Sequence, residues 1–302
     1  MDTPAYMTMV DQGPGSVEPP YRYRFIPTVA VNVMRLLPGY DIPIAFTEDT
    51  VAKKDFFHFV VLNFLLTVAT SVLVFSYLSP KFGVAPAYLG SLLYLFSFYS
   101  IVTNIIPMTD AACHLAIITS LILFEKKQPL WFALCCLVGV FTKETLLIVL
   151  GLWIVLQGFQ SRRSLWYLAY MLPGAMAYGV ATHLFPALSQ SAYYHSDFLL
   201  GNIYKAFSLR EYDRHLIFQI FLAQTPLFAA VVSYIGLKFC QGNVCQGNED
   251  LKLNKELWLF PFLIWLGLTM GIGNNAGRIA FMAFPAVIQF EVMILSAWIK
   301  SV

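Results

Sequence analysis

Long apolar stretches separated by short polar links recur along most of the 302 residues. They predict nine helices: Phe56–Leu78, Val84–Ile105, Ala111–Phe124, Leu130–Thr142, Thr145–Phe159, Leu165–Phe185, Leu216–Phe239, Leu257–Ile272 and Ile279–Ile299. Many approach the roughly 20 residues that cross a bilayer as a helix. Barrel strands would alternate in pieces of about ten residues, and these stretches do not alternate. In hydrocarbon each segment must satisfy its own backbone groups, which favours helices. The pattern therefore predicts an all-α, polytopic transmembrane helical bundle of about nine spans. Ahead of it, Phe25–Leu37 is too short to span and reads as an interfacial helix. Residues 1–55 form an extracytoplasmic loop carrying that helix, and residues 56–302 the transmembrane domain.

The stretch Leu130–Phe159 is almost wholly apolar, yet Lys143 and Glu144 sit side by side at its centre. Charges at membrane depth are costly and mark functional sites by default. Read as two helices of about 13–15 residues, each half is about 20 Å long. That falls short of a hydrocarbon core of ~30 Å. The Lys143–Glu144 turn is therefore expected below the membrane surface. Ala111–Phe124 is as short, with Asp110 at its start. Two short hairpins on one side predict a recessed, water-filled hollow on the non-cytoplasmic face. The compact basic links "EKKQP" and "SRRS" favour the opposite side as cytoplasmic. Total Lys and Arg are about equal on the two sides, so charge alone orients the chain weakly.

Composition agrees with a lipid solvent. Charged residues make up 12% of the chain, against about 25% in soluble domains. The net charge of +2 comes with no basic cluster, which excludes a nucleic-acid partner. Cys113, Cys135 and Cys136 lie in apolar stretches and read as small buried hydrophobes. Cys240 and Cys245 have no further ligands nearby, so neither a metal nor a cofactor is expected. Gly267 and Gly271, four apart, would let helices pack closely.

Counting sides places Asp110, Lys143, Glu144 and Arg278 on one face, with the N-terminal Asp2, Asp11, Arg22 and Arg24. A carboxylate beside two or three cations, next to lipid, suits chemistry on a lipid-linked phosphate. Cations hold the phosphate and stabilise charge as it leaves. A carboxylate takes a proton from an attacking hydroxyl. Plainer readings stand beside this one. Asp110 also fits a helix cap, Arg278 a snorkelling anchor, Arg22 and Arg24 interfacial anchors, and Lys143–Glu144 a loop tip. His58, His114 and His183 read as hydrogen-bonded packing residues. His195 and His215 fall in the Pro186–His215 loop, a candidate lid, where "YYHSD" is adjacency and not a triad.

"MDTPAYMTM" followed by "PPYRYRFIP" resembles the first outer loop of polytopic glycosyltransferases of the GT-C superfamily. There an aspartate, with an aromatic a turn later, leads into a Pro-x-x-Tyr/Phe-Arg segment and a membrane-lying helix. "PMTDAACHLAI" and "FTKETLLIVLGLW" resemble later outer hairpins of the bacterial, mannosyltransferase-like branch. "GRIAFMAFP" resembles its late arginine-to-proline segment. The likeness touches nearly the whole chain in order, and its specificity lies in the series of short motifs. The resemblance implies an inverting transferase of a bacterial inner membrane. It would move a sugar from a polyprenyl-phosphate donor to an unspecified acceptor at the extracytoplasmic face, without a metal. It implies Asp2 as general base or acceptor-orienting group and Asp110 as a second acidic group. Lys143 and Arg278, with Glu144 beside them, would face the carrier phosphate, joined by Arg22 and Arg24. Family members carry a transmembrane helix ahead of the loop aspartate. Here the sequence begins Met1–Asp2, so a shortened form or a lost first helix is expected. The alternatives are a transporter or lipid flippase, and a non-catalytic assembly subunit. Transporters place polar sites between repeated halves near the midplane; no internal repeat is visible here.

Overall fold

In the computed structural model, the described residues are 3–17, 21–42, 50–158, 162–184 and 281–301. Among them every regular element is helical and none is a strand. The expected helices at Leu216–Phe239 and Leu257–Ile272 lie outside the described residues, as do Asp2, Arg278, Cys240, Cys245 and the Pro186–His215 loop.

The all-α expectation holds for the described residues, but the count of nine spans does not carry over to them. One helix, α3 (Thr50–Phe82), is long and apolar enough to cross a bilayer. Two more, α4 (Val84–Leu95) and α5 (Phe98–Ile105), pass only as a pair bent by 49°. The shortfall has a geometric cause. Helices α6 (Asp110–Glu125), α7 (Pro129–Gly139) and α8 (Thr145–Gly158) have 16, 11 and 14 residues. At 1.5 Å per residue they reach about 24, 16 and 21 Å, short of ~30 Å. Helix α9 (Tyr167–Leu184) has 18 residues and Pro173 inside it.

The chain divides into two compact units. The first comprises Met1–Thr70 and Ser100–Ala192, the second Ser71–Tyr99 and Tyr193–Val302. In the first, α1 (Thr3–Gln12) buries Tyr6, Met9 and Val10, the i, i+3, i+4 stripe of an amphipathic helix. These pack with Val17, Val31, Phe56 and Phe59, joining α1 to α2 (Ile26–Met34) and the start of α3. Gly13, at φ +84°, lets the chain leave α1; a side chain there would be strained. Arg35, just past α2, grips Asp55 of α3 through two bonds of 2.8 and 2.6 Å. Asp11 stands 3.7 Å from the same guanidinium.

The α6–α7 turn closes as a Schellman motif. Lys127 takes φ +54°, its N–H reaches the Phe124 carbonyl, and the Gln128 N–H reaches Leu123. Pro129 then opens α7, where its missing N–H costs nothing. Helix α7 lies close on α9 because Gly174 has no side chain. A Cβ there would sit 2.9 Å from the Cys136 carbonyl oxygen.

In the second unit, α4 packs on α10 (Phe284–Ser301). Gly90 permits the approach, since a Cβ at that point would collide with Val292 and Leu78. Tyr94 lies against Phe281 and Phe284. Glu291 of α10 is 3% exposed, and neither carboxyl oxygen has a hydrogen-bond partner among the described residues.

Candidate functional site: a buried double ion pair

The α7–α8 hairpin creates the site. Past Gly139 the backbone tightens, with the Thr142 and Lys143 N–H groups both donating to the Gly139 carbonyl. The Thr142 hydroxyl donates to that carbonyl too, at 2.6 Å. The tight turn fixes Lys143 and Glu144 just before α8 begins. The N-terminal segment docks on it: the Ile26 N–H donates to the Phe141 carbonyl at 3.4 Å, and the Phe25 and Phe141 rings lie 5.1 Å apart.

Two ion pairs form there, all within the first unit. The Lys143 ammonium donates to Asp110 Oδ1 at 2.5 Å. The side chains are 7% and 1% exposed. Asp110 occupies the first turn of α6, where a negative charge meets the positive end of the helix dipole. Arg24 forks onto Glu144, Nε to Oε2 at 3.0 Å and Nη2 to Oε1 at 2.5 Å. Arg24 is 8% exposed and Glu144 30%. Tyr6 joins the pairs. Its hydroxyl accepts from Arg24 Nη1 and stands 3.3 Å from the Thr109 hydroxyl, the residue before Asp110. Tyr21 crosses Tyr6 edge-on, and Arg24 lies 5.8 Å from the Tyr21 ring centre.

The charges sum to zero, and each supports its partner. Burial opposes the charge on Arg24, but the Glu144 carboxylate and Tyr6 outweigh it and hold the pKa well above the ordinary value. Burial also pushes Glu144 up, while Arg24 pulls it down further, so the carboxyl ends below its usual range. A buried pair of this kind has little net effect on stability, but removing one partner strands a charge in low dielectric.

The sequence-predicted residues separate accordingly. Asp110, Lys143, Glu144 and Arg24 come together. Arg22 points elsewhere, with Nε donating to the Val17 carbonyl at 3.0 Å and Nη2 to Gly15 at 3.2 Å. Asp2 and Arg278 lie outside the described residues. The expected hollow takes a different form: Lys143 is buried at 5% exposure rather than facing open water. Asp110 gives Oδ1 to Lys143, while Thr109, at the helix cap position, makes no side-chain capping bond. His58 was expected to be hydrogen-bonded, yet neither ring nitrogen has a partner among the described residues. It packs on Phe57 and beside Gly39. Cys113 and Cys136 are buried free thiols, as read from sequence.

Sequence reasoning left Tyr6 without a named role and gave Thr109 none beyond a helix start. Tyr6 carried a signal, being the aromatic one turn after Asp2. Glu291 was overlooked because one acid inside "AVIQFEVMIL" barely lowers a window average. No metal-ligating cluster is present among the described residues. Compared with protein-family models, with curated proteins and with solved structures, the chain shows no match.

Proposed function

We propose that the chain is a membrane glycosyltransferase of the GT-C type. It takes a sugar from a polyprenyl-phosphate donor and passes it to an acceptor hydroxyl at the extracytoplasmic face. What supports the reading is one convergence: three segments that carry the sequence resemblance meet at the double ion pair. Tyr6 and Arg24 come from the first outer loop, Asp110 from the second motif, and Lys143 and Glu144 from the third.

In this reading the acceptor oxygen attacks the anomeric carbon from the face opposite the phosphate. Its proton passes to Asp2, which directly precedes Thr3, the first residue of α1. The bond from sugar to phosphate breaks, and the electron pair leaves on the lipid phosphate. Arg278 supplies positive charge that stabilises it, and Arg24 and Lys143 add the N–H donors left over from their carboxylate partners. Glu144 and Asp110 act as positioning residues, because each carboxylate already engages a cation. Approach is from the Glu144 side, the more exposed end of its pair.

The test is transfer of labelled sugar from a panel of polyprenyl-phosphate sugars in proteoliposomes supplied with membrane-lipid acceptors. Wild-type protein is expected to transfer one sugar. Asp2→Asn should slow transfer by about 10²-fold or more, the usual weight of general base catalysis, with unchanged melting. No transfer across the panel, or full activity in Asp2→Asn, refutes the assignment.

A further inference from the structure

The two ion pairs belong to one closed circuit. From Glu144 the fork leads to Arg24, Arg24 Nη1 donates to the Tyr6 hydroxyl at 3.3 Å, and that hydroxyl meets Thr109 Oγ1 at 3.3 Å. A peptide bond joins Thr109 to Asp110, Lys143 donates to Asp110, and the next peptide bond returns to Glu144. Tyr6 is thus a side-chain bridge from one pair to the other. It is 0% exposed and Thr109 1%, so a bond lost here is not made good by water. The Thr109 hydroxyl is turned to this task. It stands at the cap position of α6, yet makes no capping bond.

Hydrogen bonds in a chain polarise one another, and more so in a low dielectric. A change at one pair is therefore passed to the other. The proposed reaction makes such coupling useful. The donor phosphate carries one negative charge and gains a second as the sugar leaves. Arg24 and Lys143 each already engage a carboxylate, so neither is a spare cation. Both must offer N–H groups to the same phosphate at the same moment.

We propose that Tyr6 is a positioning residue that makes the two pairs act as a unit, so that Arg24 and Lys143 meet the leaving phosphate together. The ligand rests on the transferase reading above. The coupling does not, because the circuit is closed without ligand.

Two variants of the full chain open the circuit at the same link. Tyr6→Phe removes the phenol oxygen and keeps the ring. Thr109→Val removes the hydroxyl that the phenol meets and leaves the Arg24 bond. In ligand-free melts, combining Glu144→Gln with Asp110→Asn should depart from the sum of the single losses by about 2 °C or more. In either opened circuit that departure should shrink by about half or more. In proteoliposomes with sugar donor, Tyr6→Phe should lower kcat about tenfold, the weight of one hydrogen bond to a charged group. KM should rise about twofold at most, because the second phosphate charge develops in the transition state. Affinity for polyprenyl phosphate alone, which carries that charge, should fall about tenfold. Thr109→Val should move each quantity the same way by less, and it decides the matter if Tyr6→Phe fails to fold. An undiminished departure from additivity in the opened circuits overturns the proposal. So does a Thr109→Val protein that matches wild type throughout, which would leave Tyr6 a packing residue. A wild type that neither transfers sugar nor binds polyprenyl phosphate sinks the transferase reading, and the melts alone then settle the coupling.

Discussion

Removing either partner of the Arg24–Glu144 pair should destabilise the chain, but unequally. The fork is short on both arms, at 3.0 and 2.5 Å. Two unit charges about 4 Å apart attract by roughly 4 kcal/mol at an effective dielectric of 20. Breaking a buried pair costs about 3–5 kcal/mol, mostly from the stranded charge. After Arg24→Met the stranded group is Glu144, which is 30% exposed and regains water; about 2–3 kcal/mol follows. After Glu144→Leu it is Arg24, 8% exposed and left with Tyr6 and Tyr21. Here the cost reaches about 4–5 kcal/mol. At about 2–4 °C per kcal/mol for a chain of this order, thermal melts in detergent should fall by roughly 4–12 °C and 8–20 °C. The double variant Arg24→Met/Glu144→Leu should melt above the Glu144→Leu protein, since apolar replacement of both partners is often neutral. Equal single losses, a larger loss for Arg24→Met, or additivity in the double variant would refute the burial argument.

The same carboxylate sets a pH dependence. Its folded pKa lies below the ordinary 4.5, so its contribution is full above that value and disappears as pH falls through the depressed one. Glu144→Gln should flatten the acid limb of the melting profile and leave its shape above about pH 5 unchanged; an unaltered acid limb contradicts this. Lys143→Met should cost about 3–5 kcal/mol by removing the cation paired with Asp110, which is 1% exposed. Adding Asp110→Asn should recover part of that loss in the same melts, and no recovery would show the two side chains to be uncoupled. Gly174→Ala pushes a methyl against the Cys136 backbone and should cost about 1–3 kcal/mol. A neutral result would mean that α7 and α9 yield more easily than their packing implies.

Much of the helix pattern is legible in the sequence because its punctuation is chemical. Asp110–Glu125 matches the expected Ala111–Phe124 to within one residue at each end, and α8 begins at Thr145 as read. Pro129 and the Lys143–Glu144 break mark the others. Helix α3 starts at Thr50 rather than Phe56, because Lys53, Lys54 and Asp55 look like a polar link. Asp55 is helical and buried on account of Arg35, a partner that spacing along α3 does not reveal. The bend between α4 and α5 escaped because "FSFY" contains neither proline nor glycine. At the site, the gathering of Arg24, Asp110, Lys143 and Glu144 was legible. Their pairing was not, since local rules such as i, i+4 reach one turn and Arg24 meets Glu144 across 120 residues. Charge at the hairpin suggested water, and each charge instead found a partner.

That separation of 120 residues becomes a delay during synthesis. At about 5–20 residues per second, Arg24 leaves the ribosome roughly 6–24 s before Glu144 exists to neutralise it. For that interval the N-terminal segment carries a bare guanidinium with nowhere dry to settle. It stays loose until the α7–α8 hairpin emerges and captures it, so the earliest-made part of the unit is among the last to lock.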